Sequence, residues 1–175
     1  MKILGKGCLG VLALAGYLAL AGIPATRAQD MTPKALVERA EVQDLITRYY
    51  DNFGKSKRES FADFYADDAE LILGANHYKG KEGITEAYKS AGQNTSVEKA
   101  YSFNITISNP LILVHGDKAT AQLIFTEYLM QKQGDPLSIR TQGREYSTFV
   151  KVKGQWRYKT RQIMGGSERP ADWKE

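Results

Sequence analysis

The sequence predicts an α+β domain: a cone-shaped, curved, mostly antiparallel sheet packed on three N-terminal helices and enclosing a pocket. Three observations carry this. Apolar residues recur at helical spacing between Thr32 and Gly92. From Tyr101 onward the chain alternates apolar and polar residues, as half-buried strands do. Tight turns at His115-Gly116-Asp117-Lys118 and Lys153-Gly154-Gln155 split that region into long hairpins. Helices first and strands second is an α+β order, and a sheet curled around the helices leaves a conical pocket between them.

In the first helix, Thr32 is a candidate cap and Pro33 occupies the first helical position. Val42, Leu45, Ile46, Tyr49 and Phe53 then form one apolar face. "GKSK" ends the helix, and "RESFADFYADDA" reads as a short second helix with Phe61, Phe64 and Tyr65 inward. "AELILGANHYKG" turns into strand, and "KEGITEAYKSAG" is a third helix carrying Ile84, Ala87, Tyr88 and Ala91. In the first long hairpin, Tyr101, Phe103, Ile105 and Ile107 share one face, as do Ala119, Ala121, Leu123, Phe125 and Glu127. Asn109-Pro110 interrupts regular pairing, because proline has no N–H for the ladder. Trp156, following a tight turn, reads as structural.

Residues 1–28 read as a secretory leader. Lys2 and Lys6 precede the uncharged apolar run "LGVLALAGYLALAGIPA", and the small residues Thr26 and Ala28 stand before Gln29. The competing reading is a membrane anchor. Gly22, Pro24 and the Ala28 junction favour cleavage, hence a periplasmic or secreted domain over residues 29–168 and a surface tail over 169–175. Cys8 is the only cysteine and precedes the apolar run, so the processed chain has neither disulfide nor thiolate. Of 24 Lys and Arg against 20 Asp and Glu, the leader holds Lys2, Lys6 and Arg27, so the processed chain is nearly neutral. Its basic residues are interleaved with acids, which argues against a nucleic-acid binder.

The pieces "LITRYYDNF", "FADFYADDAEL", "YKGKEGITEAY", "ITISNPLILVHGDKATAQ" and "GREYSTFVKVKGQWRYKTRQI" occur in an order that resembles the nuclear transport factor 2-like superfamily, in particular its SnoaL-like branch. The resemblance spans Val37 to Met164. It implies a cone of three helices and a curved sheet, often dimeric through the sheet. The activities it implies are those of dehydratases, isomerases, cyclases and other lyases acting on apolar cyclic or aromatic molecules, beside binding domains without chemistry. Catalytic branches carry an Asp-His pair. Here the acid's position falls on Gly54, with Asp51 near enough to replace it if the helix end shifts, and the histidine's position is Ile105.

The candidate catalytic residues are therefore Tyr49, His77, Tyr101 and Glu127. His77 and His115 are the only histidines, and His115 sits in a turn. His77 is either a pocket acid or base or a rim residue with a structural hydrogen bond. Glu127 extends an apolar strand face, where a carboxylate can serve as acid or base, unless it is paired with Arg144, Arg161 or a lysine. Tyr49 and Tyr101 hold a substrate oxygen or fill the core mouth. Phe53, Phe103, Ile105, Phe125 and Tyr146 are the candidate lining for a small hydrophobic or aromatic ligand. No cofactor and no metal site is expected: the spacing in "GANHYKGKEG" is not that of a phosphate loop, and the histidines are far apart without an acidic cluster. Two functions stay open: a cofactor-independent lyase or isomerase, and a ligand-binding or accessory domain that lost catalysis. A structural dimer module would need an exposed apolar patch.

Overall fold

A computed structural model describes residues 31–53, 60–92 and 99–173. The leader and Gly54 lie outside the described residues. Helix α1 spans Pro33–Asp51 and opens as expected, with Thr32 Oγ1 accepting from the Ala35 N–H at 3.3 Å and Pro33 in the first turn. Strands β1 (Tyr65–Leu73) and β2 (Asn76–Lys79) form a hairpin, followed by helix α2 (Gly80–Gly92). Four long strands complete the chain: β3 (Ser102–His115), β4 (Lys118–Met130), β5 (Ser138–Val152) and β6 (Gln155–Gly165).

The described residues contain two α-helices rather than three. The segment expected as a second helix is one 3₁₀ turn, Phe61–Phe64, which passes directly into β1. A single turn satisfies the i, i+3 spacing of Phe61 and Phe64. From Tyr65 the backbone pairs in parallel with β6, and that ladder stops the helix from continuing. The six strands lie in the order β2-β1-β6-β5-β4-β3, with β1–β6 the parallel pair and the others antiparallel.

Register arranges the inner face in cross-sheet rows. The innermost row joins Val114, Ala119, Phe149, Tyr158 and Tyr65. The next joins Ile112, Ala121, Ser147, Arg161 and Leu71, and the third Leu123, Glu145, Ile163 and Leu73. Farther out stand Ile107, Phe125 and Gly143, then Ile105, Glu127 and Thr141. The sheet must bend to close around α1, and β3 does so where Asn109 takes φ 50° and the register with β4 breaks between Ser108 and Leu111.

The C-terminal tail lies against the outer face of β5. Trp173 meets Tyr146 edge-on with ring centroids 5.2 Å apart, Tyr146 Oη donates to the Glu168 carbonyl at 3.2 Å, and Pro170 is buried. Tyr146 alternates with the inward Glu145 and Ser147, so it lies beneath the tail and does not line the cone.

Gly143 is a packing constraint. A Cβ there would stand 2.6 Å from the Phe125 ring and 3.0 Å from the Met164 carbonyl oxygen. Gly143→Ala is expected to cost about 1–3 kcal/mol in urea unfolding, the usual price of overpacking. Combining it with Phe125→Leu should recover part of that loss. Strict additivity of the two would show that the ring is not what excludes the methyl group.

Candidate functional site

The last full turn of α1 supplies two consecutive tyrosines, which a helix sends about 100° apart. Tyr49 turns into the core and is fully buried among Tyr50, Phe53, Phe61, Phe64, Tyr65 and Tyr158, with ring centroids 5.2–6.3 Å away. Its hydroxyl is hydrogen-bonded to that of Tyr88 on α2, which also meets Tyr65 Oη at 2.9 Å. Tyr50 turns toward β5, its ring stacking on Phe125 at 6.4 Å.

There it meets a polar cluster inside an aromatic floor. Tyr50 Oη donates to Glu145 Oε2 at 2.6 Å, Arg161 Nε donates to the same oxygen at 2.8 Å, and Ser147 Oγ donates to Oε1 at 2.7 Å. The Arg161 guanidinium also donates to Tyr50 Oη at 3.1 Å and stacks over the Tyr49 ring at 4.5 Å. Glu145 is 0% exposed, while Tyr50 and Arg161 each keep 6%. Antiparallel pairing of β5 and β6 sets Ser147 opposite Arg161, so the cluster follows from register.

The electrostatics are those of a closed ion pair ringed by neutral phenols. Burial opposes the charge of Arg161, but the Glu145 carboxylate and the phenols around it hold its pKa well above the ordinary guanidinium value. Burial pushes Tyr49, Tyr50, Tyr65 and Tyr158 well above the usual phenol range, and Glu145 adds to the effect on Tyr50. The phenols therefore stay protonated, and Tyr50 remains a donor to the carboxylate. Tyr158 Oη is buried without a hydrogen-bond partner.

Toward the open end the lining becomes apolar and partly exposed. Phe53 meets Phe61 at 4.5 Å, Phe61 stacks on Tyr88 at 4.4 Å, and Ile105 and Ile107 lie on β3 beside Phe125. Glu127 occupies the same face two rows outward from Glu145, opposite Ile105 and Thr141, and is ion-paired with Arg140. That partner is none of those expected. Phe103 is half-buried farther out, opposite Leu129.

The four candidate catalytic residues are not brought together. Tyr49 is sealed in the core. His77 is exposed on the sheet-edge strand β2, with Nδ1 3.0 Å from Glu70 Oε1. Tyr101 is 58% exposed ahead of β3, so strand parity with Phe103 did not place it inside. Only Glu127 faces the cone. Glu145, Ser147, Arg161, Tyr50 and Tyr88 were not singled out for a site, although Glu145 shares strand parity with the apolar Phe149. Among the described residues no group of three or more His, Cys, Asp or Glu could hold a metal ion.

Two outcomes follow. Glu145→Gln leaves a buried guanidinium without its counter-ion and is expected to cost about 3–5 kcal/mol, whereas the pair Glu145→Leu with Arg161→Met should recover most of it. A loss below about 1 kcal/mol for the single change would contradict the closed-pair reading. The buried phenols have folded pKa values above their unfolded value of 10.0. Their contribution is complete below that pH and is lost as pH rises through the folded values. A spectrophotometric titration should show a set of tyrosines ionising only as the chain unfolds; ionisation of every tyrosine near pH 10 with native circular dichroism would refute this.

Comparison with known proteins fits this architecture. No curated protein matches the sequence. A protein of unknown function from Mycobacterium tuberculosis is similar in structure with TM-score 0.65 and 20% identity, over 78% of this chain and 77% of that one. An NTF2-like protein with a cystatin-like fold from Novosphingobium aromaticivorans gives 0.62 and 20%, over 74% and 82%. A scytalone dehydratase candidate from the same organism gives 0.60 and 20%, over 80% and 97%. At such identities the likeness shows the fold alone. The family model described as a SnoaL-like domain matches residues 34–162, most of the chain, and the protein belongs to that family.

Proposed function

We propose that this SnoaL-like domain is a cofactor-independent lyase or isomerase acting on a small apolar, fused-ring or aromatic molecule that carries a carbonyl or hydroxyl oxygen. The observation that carries this is the Tyr50–Glu145–Arg161 cluster under an apolar aromatic mouth. Ring faces of Phe53, Phe61 and Phe125 suit a flat apolar ligand. Its oxygen would settle on the Arg161 guanidinium, because the single O–H of Tyr50 is already given to Glu145. Donors already held in place there stabilise the negative charge that builds on oxygen when a C–H of the conjugated system is deprotonated.

Glu145 does not touch the substrate. It is a positioning residue, holding the guanidinium and Tyr50 in place before the ligand arrives. Glu127 is the proton acceptor of this scheme. It stands two rows outward, about 14 Å along the strand at 3.4 Å per residue, so guanidinium and base suit a molecule of two or three rings. A protonated Glu127 can return its proton to the departing group of an elimination, or to another carbon of the conjugated system in an allylic shift, which balances either without a cofactor.

A second reading is favoured by one observation: Glu145 already accepts three hydrogen bonds, and neither histidine lies in the cone. In that reading the domain binds such molecules without converting them.

Incubating the purified protein with a panel of fused-ring hydroxyketones, with product detection by mass spectrometry and binding by calorimetry, separates the two. The enzyme reading predicts turnover that Glu127→Gln lowers about 10²–10⁴-fold in kcat with little change in KM. Arg161→Met should lower kcat about 10²-fold or more. Binding without conversion across the panel would establish the second reading, and turnover indifferent to Glu127→Gln would remove the base assigned here.

A further inference from the structure

The sheet carries a concavity, of about 670 Å³, on the face opposite the cone. Its floor is made by Thr120, Thr148 and Val150, which alternate along β4 and β5 with the core residues Ala119, Ala121, Ser147 and Phe149. Thr120 faces Thr148 across the ladder, and Lys118 faces Val150. One wall is the beginning of β1, Ala66 to Asp68, where pairing with β6 lapses between Tyr65 and Glu70. Val152 lies at the end toward the β5–β6 turn. The tail covers Tyr146 on the same face, and this concavity is the adjoining part of β5 beyond it.

The charges around it are unequal in their commitments. On the β1 side, Asp67 is paired with Lys81 at 2.9 Å and Asp68 with Lys159 at 2.5 Å, and the Lys159 ammonium also donates to the Asp68 carbonyl at 3.0 Å. That wall is electrically satisfied. On the opposite rim Lys118 enters no ion pair among the described residues, and His115 adjoins it across the two-residue turn. An apolar floor with two hydroxyls and one uncommitted ammonium at a single end has the polarity of an amphipathic anion.

The geometry points to a second ligand site here, for a small organic carboxylate with a medium-length alkyl or aromatic body. The body lies over Val150 and Ala66 toward Val152, and the carboxylate meets the Lys118 ammonium, with the Thr120 and Thr148 hydroxyls as further donors. The volume is that of an ordinary small-molecule pocket. Lys118 is the determinant of headgroup choice: a neutral analogue of the same body loses its charge partner, and a cationic one meets the like charge of the Lys118 ammonium. The site shares no residue with the Tyr50–Glu145–Arg161 cluster, so it stands or falls independently of the activity proposed above.

Decanoate is the probe, with decanol and decylamine as controls, followed by calorimetry and by ¹H–¹⁵N chemical shifts of the purified protein. Decanoate should shift the amides of Thr120, Thr148 and Val150. Lys118→Glu should weaken decanoate at least tenfold while leaving decanol unchanged, and Val150→Asp should abolish both, with native circular dichroism retained in each variant. Phe125→Leu, in the cone, should leave decanoate binding intact. The proposal is overturned if decanoate shifts only cone residues, if Lys118→Glu has no effect, or if millimolar decanoate does not bind. It is equally overturned if Val150→Asp converts a dimer to a monomer in sedimentation while the native protein ignores decanoate, because the occupant would then be a second copy of the chain.

Discussion

One buried ion pair sets the terms for the interior. Glu145 and Arg161 sit on adjacent strands within a shell of phenols, and neither charge has enough water to be stable alone. Their mutual attraction, the Tyr50 and Ser147 hydroxyls and the Tyr49 ring together offset desolvation that would otherwise cost several kcal/mol per ion. Three separate parts of the chain must arrive in register for that to hold: the end of α1, the middle of β5 and the middle of β6. Against a typical domain stability of 5–15 kcal/mol, loss of one partner is a large fraction of the whole.

The long hairpin of β3 and β4 answers to this interior and to the mouth above it. Its inner half supplies Ile112, Ala119 and Ala121, small or branched side chains that leave room for the tyrosines. The break at Asn109 bends β3, and its outer half brings Ile105, Ile107, Phe125 and Glu127 around the opening. Gly143 lets the Phe125 ring lie against β5 and roof the polar cluster. One strand pair is thus both core wall and pocket rim, which requires its length.

Much of the fold was legible because it depends on local pattern. The Thr32 cap, the apolar face of α1, both hairpin turns and the irregularity at Asn109-Pro110 all stand where side-chain chemistry puts them. The site was less legible, and for a physical reason. Strand parity sorts residues onto two faces but gives neither depth nor the name of the inner face. It left Tyr146 outside under a tail whose docking depends on the distant Trp173. It extended the run through Tyr101, which lies beyond the last paired residue of β3. Glu145 and Arg161 stand on different strands sixteen residues apart, and only the register of those two strands reveals that they meet. The segment at Phe61 has helical spacing, but sheet pairing overrides it after one turn.

The account's central claim is that the reactive oxygen of a ligand docks at the mouth on the guanidinium that Glu145 holds in place. A crystal structure with a bound fused-ring hydroxyketone tests this most directly. The account predicts the ring system against the faces of Phe53, Phe61 and Phe125, with its oxygen within hydrogen-bond distance of the Arg161 guanidinium and its far edge toward Glu127. A ligand seated elsewhere, or one in the cone whose oxygen points away from the guanidinium, would contradict it.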